Sequence, residues 1–127
     1  MRDIKELYKA DYPQEVFIRR ILSAHIQVFF EKYLLPLAHR NMRVLDVGCG
    51  EQPFRSVIEQ YGFCYKGLDR RQNSKQNVDI IVPIDDPLFD NYSIEPFDFV
   101  LCTEVLEHVA NWEVAFKNIA KLTKKMV

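Results

Sequence analysis

The sequence predicts an α/β fold in which a parallel sheet is flanked by helices. Three observations lead there. A short apolar run rich in β-branched residues, Val44-Leu45-Asp46-Val47, passes directly into Gly48-Cys49-Gly50 and then into a helical stretch. That is the pattern of a strand covered on both faces and entering a tight turn. Downstream, apolar strands alternate with polar loops and helical patterns, the order that gives parallel pairing through right-handed crossovers. Upstream, a long stretch carries one wide apolar stripe, suited to packing on a sheet.

In chain order, residues 1–12 are charged and helical only at short range. Asp11-Tyr12-Pro13-Gln14-Glu15 reads as a helix start, with Pro13 and an acidic residue in the first turn. Through Arg40, the apolar residues Phe17, Ile21, Leu22, Ile26, Phe29, Phe30, Tyr33 and Leu34 recur at spacings of three and four. This face packs on a sheet or roofs a ligand pocket. His25 beside it reads as a packing residue, and Arg19-Arg20 as a solvated face. Residues 1–40 thus form an N-terminal helical segment and 41–127 the sheet-bearing half-domain.

The first strand covers 44–47. Gly48 and Gly50 remove the Cβ atoms where the backbone turns sharply and a ligand approaches. Pro53 suits a first helical position, so a short helix is expected over 53–61, ended by Gly62 as a C-cap. A second strand is expected over 63–68, ending at Asp69, and the polar residues 70–77 form a loop. A third strand over 78–82 closes at Pro83. Residues 85–95 are loop, with one turn around Leu88-Phe89. A fourth strand covers 97–102, and 104–109 form a turn or short helix. Asn111 N-caps a last helix with Trp112, Ala115, Phe116, Ile119 and Leu122 on one apolar stripe. Lys121, Lys124 and Lys125 suit its C-terminal end.

A length of 127 residues is enough for one hydrophobic core. With 48% hydrophobic and 28% charged residues and a formal charge of −1, the chain has no broad attraction to nucleic acid or anionic membranes. No apolar run approaches the roughly 20 residues of a membrane span. The N-terminus, with Asp3 and Glu6, lacks the apolar centre of a secretion signal. Cys49, Cys64 and Cys102 are odd in number and lack metal-type spacing. They read as reduced core thiols of a cytoplasmic protein, neither paired nor zinc-binding.

In sheets of this kind the ligand sits outside the carboxyl ends of the strands. The glycine turn, Asp69, the turn at 83–86 and Thr103-Glu104 all fall at that rim. A dinucleotide fingerprint needs a third glycine where Pro53 stands, and a phosphate loop needs a Gly-Lys-Ser/Thr run that is absent. Asp46, Glu51, Asp69, Asp85, Asp86 and Glu104 crowd the rim, and the glycine turn itself carries no Lys or Arg. A pyrophosphate faces like charge there; a ligand bearing ribose hydroxyls, an ammonium and a sulfonium is suited to it. Asp69, at the end of the second strand, takes the usual place of a ribose-binding acid. Glu51 and Asp86 read as plain loop residues.

Val-Leu-Asp-Val-Gly-Cys-Gly at 44–50, Gly-Leu-Asp at 67–69 and Phe-Asp-Phe-Val-Leu-Cys-Thr-Glu-Val-Leu-Glu-His-Val at 97–109 together resemble class I S-adenosylmethionine-dependent methyltransferases. The closest likeness is to the methyltransferase-domain group that includes small-molecule and glycan methylating enzymes, over roughly 40–125. The resemblance implies a Rossmann-like sheet of strand order 3-2-1-4 and S-adenosyl-L-methionine as cofactor. By position, it assigns Asp46, Gly48, Cys49 and Gly50 to the pocket for the methionine part. Asp69 takes the ribose hydroxyls, and Leu68 and Arg70 flank the adenine. Asp85, or equally Asp86 in a shifted register, reaches the adenine amino group while Ile84 stacks on the ring, and Cys102 and Thr103 line the sulfonium side. Glu104, Glu107 and His108 lie near the acceptor, with His108 the base candidate at neutral pH. No metal is implied.

Two departures accompany the resemblance. Gln52 stands where many members have a third glycine. The family sheet has seven strands and this sequence supplies four, so the chain is expected to be a fragment of a longer enzyme or a truncated relative. The fourth strand then lies at an apolar edge, which predicts a homodimer through that edge or the nearby helical faces. Two other functions compete with methyl transfer to a small-molecule or glycan-type acceptor. One is a non-catalytic cofactor-binding or interaction module; the other is a nicotinamide-dependent oxidoreductase, against which Pro53 and the acidic rim stand.

Overall fold

The computed structural model describes Val28, Glu31, Lys32 and residues 42–103 and 109–124. Apart from Val28, Glu31 and Lys32, the helix expected through Arg40 falls outside the described residues, His25 and the Arg19-Arg20 pair included, as do Glu104, Glu107 and His108. Among the described residues no helix is long and apolar enough to cross a membrane.

One all-parallel sheet has the order β3-β2-β1-β4. Its strands are β1 Arg43–Val47, β2 Cys64–Asp69, β3 Ile80–Ile81 and β4 Phe99–Cys102. Helices α1 Arg55–Gln60 and α2 Trp112–Leu122 cover opposite faces. The alternation of a strand explains how. Val44 joins Phe54, Ile58, Phe63 and Tyr65 beneath α1, whereas Leu45 and Val47 join Leu68, Ile84, Phe97, Ala115 and Leu122 beneath α2. Both sets on β1 are fully buried, which is why its apolar run is continuous. This is the Rossmann-like order the resemblance implies.

Several boundaries move for identifiable reasons. The first helix begins at Arg55, so Pro53 lies in the turn before it and not at the first helical position. The chain there is turned by Gln52, at φ +60°, whose N–H bonds back to the Cys49 carbonyl at 2.8 Å. Gly62 ends this helix as expected, at φ +86° with its N–H on the Glu59 carbonyl. The third strand shrinks from 78–82 to two residues. Gln72 captures both backbone groups of Val78, and Asp79 exchanges bonds with Gly67 through its side chain as well as its N–H. The expected turn near Leu88-Phe89 is a 3₁₀ helix, Phe89–Tyr92.

The fourth strand starts at Phe99 and not at 97. Phe97 instead pairs with the chain leaving α2: its N–H donates to the Leu122 carbonyl at 2.6 Å, and the Lys124 N–H donates to its carbonyl. The flank just ahead of β4 is therefore occupied by the chain's own residues. Asn111 caps α2 as expected, accepting from the Val114 N–H. The buried side of α2 is Ala115, Asn118 and Leu122, whereas Trp112 and Phe116 are 58% and 56% exposed. The expected stripe is thus rotated. Cys64 is exposed and is not a core thiol; Cys49 is buried, and none of the three cysteines is in a disulfide.

Candidate functional site

At the carboxyl ends of the strands a hollow opens, lined by Gly48, Leu68, Asp69, Arg70, Val82, Pro83, Ile84, Asp85, Val109 and Ala110. Six of the expected cofactor residues are on its wall: Gly48, Leu68, Asp69, Arg70, Ile84 and Asp85. Pro83 belongs to the 83–86 turn expected at the rim, whereas Val82, Val109 and Ala110 were not singled out from sequence as site residues.

The glycine turn is built by convergence on the end of β2. The N–H groups of Gly48 and Cys49 both donate to the Leu68 carbonyl, at 2.8 and 3.1 Å. Gly48 and Gly50 adopt φ +71° and +51°, conformations that side chains resist. The Asp69 carboxylate accepts from the Gly50 N–H at 2.9 Å and from the Arg70 N–H at 2.8 Å. Asp69 is buried, so a carboxylate is fixed at the junction of the turn and β2, in a residue on the wall of the hollow.

Asp46, Cys49, Gly50, Cys102 and Thr103 are not on the wall of the hollow. Asp46 lies 1% exposed beneath the turn, where its carboxylate accepts from the Tyr65 hydroxyl at 2.6 Å. Burial raises its pKa from 3.8 to about 7; the Tyr65 bond offsets part of this, and Asp69 adds to it. Burial likewise pushes the Cys49 thiol up, with Asp46 and Asp69 adding repulsion. Cys49 and Gln52 press on β2 at Gly67, where an added Cβ meets Cys49 Sγ at 2.7 Å and Gln52 Nε2 at 2.8 Å. Cys102 ends β4 opposite Val47, and Thr103 follows it, half-buried.

Glu51 and Gln52 do more than a loop requires. Glu51 is buried and accepts from the Ser74 N–H at 2.7 Å, and Gln52 donates to the Asn77 carbonyl at 2.8 Å. Asn73 donates to the Gly50 carbonyl at 2.9 Å. The 70–77 loop is thereby lashed to the glycine turn through Gly50, Glu51 and Gln52, and Gln52 at its positive φ replaces a glycine with a tether. Asp86, also read as a plain loop residue, organises its turn by accepting from the Leu88 N–H and the Tyr92 hydroxyl. Those bonds hold its pKa below the usual carboxylate value.

Chemically, the wall combines two carboxylates, Asp69 and Asp85, with apolar Leu68, Val82 and Ile84 and a glycine backbone. Arg70 is exposed at the wall. Apolar walls accept a flat base, and a buried carboxylate suits vicinal hydroxyls.

The family model described as "Methyltransferase domain" matches residues 17–126. The chain is 27% identical over 134 residues to an uncharacterized protein of Methanocaldococcus jannaschii, covering 98% of this chain and 57% of that protein. It is 28% identical to the ubiquinone biosynthesis O-methyltransferase of Coxiella burnetii, covering 67% of this chain and 40% of the relative. The corresponding enzyme of Rickettsia akari is 28% identical, with 84% and 47% covered. The chain thus spans about half the length of these relatives. With the glycine turn, the acid closing β2 and the 3-2-1-4 sheet all inside the matched residues, the chain belongs to the methyltransferase domain family.

Proposed function

We propose that this chain binds S-adenosyl-L-methionine in the strand-end hollow and serves methyl transfer to a hydroxyl of a small-molecule or glycan-type acceptor. The observation that carries the reading is the buried Asp69 carboxylate, fixed against the glycine turn in a residue that lines the hollow. Asp69 holds the ribose hydroxyls, Asp85 takes the adenine amino group, and Leu68, Ile84 and Arg70 flank the ring. Gly48, Cys49 and Gly50 shape the backbone for the methionine part, with Asp46 beneath it, and Cys102 and Thr103 approach from β4. When bound, the cofactor supplies an electrophilic methyl group. The chain's own contribution is to align an acceptor with it and to exclude water. His108, proposed from the motif resemblance, receives the acceptor proton, with Glu104 near the acceptor. An oxygen acceptor is supported by the relatives named O-methyltransferases.

The test is release of S-adenosylhomocysteine across a panel of phenolic, sugar and other small hydroxyl acceptors. Product with any one of them supports the reading. Tight cofactor binding without product across the panel favours a module that binds and does not turn over.

We also propose a cytoplasmic setting, in keeping with Cys49, Cys64 and Cys102 standing outside any disulfide, and self-association through the Phe99–Cys102 edge. Residues 122–124 already occupy that flank at Phe97, so a second strand has only the four residues of β4 to pair with. Light scattering giving only monomer mass at high concentration overturns the association.

A further inference from the structure

Asn118 is the polar member of the buried side of α2, 3% exposed between Ala115 and Leu122. A buried amide costs more than an aliphatic side chain unless its donors find partners. Both N–H bonds of Asn118 Nδ2 are used on one turn: they reach the Ile84 carbonyl at 2.8 Å and the Asp86 carbonyl at 3.0 Å. The residue between those carbonyls is Asp85, and Ile84 and Asp85 both line the hollow. A second tie comes from the start of the same helix, where the Asn111 N–H donates to Asp85 Oδ2 at 3.2 Å. The wall segment at 84–86 is thus held from behind by α2 at two points. Leucine at 118 would fill similar space but leave both carbonyls without these donors.

We propose that Asn118 is a positioning residue that sets the site's preference for a base bearing an exocyclic amino group. It acts by fixing Asp85 and Ile84, and this rests on the nucleoside-cofactor reading above. An amino group donates to the Asp85 carboxylate, whereas a carbonyl oxygen at the same ring position presents a lone pair and is repelled. That discrimination requires the carboxylate to stay in place. Free to move, the turn lets Asp85 withdraw and the two bases become nearly equivalent.

The experiment measures affinities of the full chain for S-adenosylhomocysteine and S-inosylhomocysteine, which differ at that ring position. The wild type is expected to favour the adenine ligand by about tenfold or more, the scale of one charge-assisted hydrogen bond. Asn118→Leu is expected to cut that ratio by about fivefold or more. Leu122→Ala, which loosens the same helix and removes none of the hydrogen bonds to the turn, is expected to leave it unchanged. An unchanged ratio in a folded Asn118→Leu variant overturns the positioning role alone. An equal loss in Leu122→Ala also overturns it, since general softening then suffices. If the wild type binds neither ligand, the nucleoside reading falls together with this inference. Should Asn118→Leu fail to fold, Asn118→Ser, with one hydroxyl donor for two carbonyls, carries the same comparison.

Discussion

The Asp69 carboxylate accepts the Gly50 N–H at 2.9 Å, joining the end of β2 to the turn after β1 in one corner. The same carboxylate takes the Arg70 N–H, so the strand end, the turn and the first loop residue share one anion. Replacing Asp69 by Ala is expected to weaken S-adenosylhomocysteine binding by roughly 1–3 kcal/mol, the range for charge-assisted bonds to hydroxyls. Calorimetry beside a melting curve separates this from unfolding. A folded variant with wild-type affinity removes Asp69 from the site.

Asp46 predicts a pH dependence with a definite sign. Its native pKa of about 7 lies above the ordinary 3.8, so the native state holds the extra proton between those values. Stability is full below about pH 4 as far as this group is concerned, and it falls as pH rises through 7. Asp46→Asn keeps an acceptor for the Tyr65 hydroxyl and removes the titration. At pH 8 it is expected to be more stable than wild type by on the order of 2–4 kcal/mol. Urea unfolding from pH 4 to 8 tests this; parallel curves for the two proteins contradict it. Asp86 and Asp98, both held below the usual value by hydrogen bonds, act in a separate window below about pH 4.

Gly67 carries a packing prediction. A methyl group there meets Cys49 Sγ at 2.7 Å and Gln52 Nε2 at 2.8 Å, both within the turn. Gly67→Ala is expected to cost about 1–3 kcal/mol and to weaken ligand binding through displacement of the turn. A neutral melting temperature with unchanged affinity would show that the turn yields freely.

The thiols should react in an order set by exposure. Cys64 is exposed, Cys102 half-buried and Cys49 buried with its thiol pKa pushed up by desolvation. A chromogenic disulfide reagent is expected to label Cys64 first and Cys49 last, and Cys64→Ser removes the fast phase. Fast labelling that survives Cys64→Ser contradicts the placement.

The central strand and its glycine turn were legible because local signals suffice there: an apolar run buried on both faces, then glycines at positive φ. Asp69 was legible for a related reason, since the end of β2 is a place the topology dictates. Less visible were features made by distant side chains meeting backbone. Gln72 ends β3 early by taking Val78, and Glu51 and Gln52 bind a loop more than 20 residues away. Periodicity found α2 and its cap but centred its apolar face wrongly. The side that turns inward is fixed by Asn118 reaching the 84–86 turn, and no hydrophobic pattern encodes that. Cysteine count and spacing read Cys64 as a core thiol like the other two, yet β2 begins there and its side chain is exposed.

The most direct measurement is calorimetric titration of the full chain with S-adenosylhomocysteine and, in parallel, with NAD. Expected are one site per chain for the former and no binding of the latter, whose pyrophosphate meets Asp69 and Asp85 on the wall. Binding of NAD without binding of S-adenosylhomocysteine would contradict a hollow built for a positively charged nucleoside.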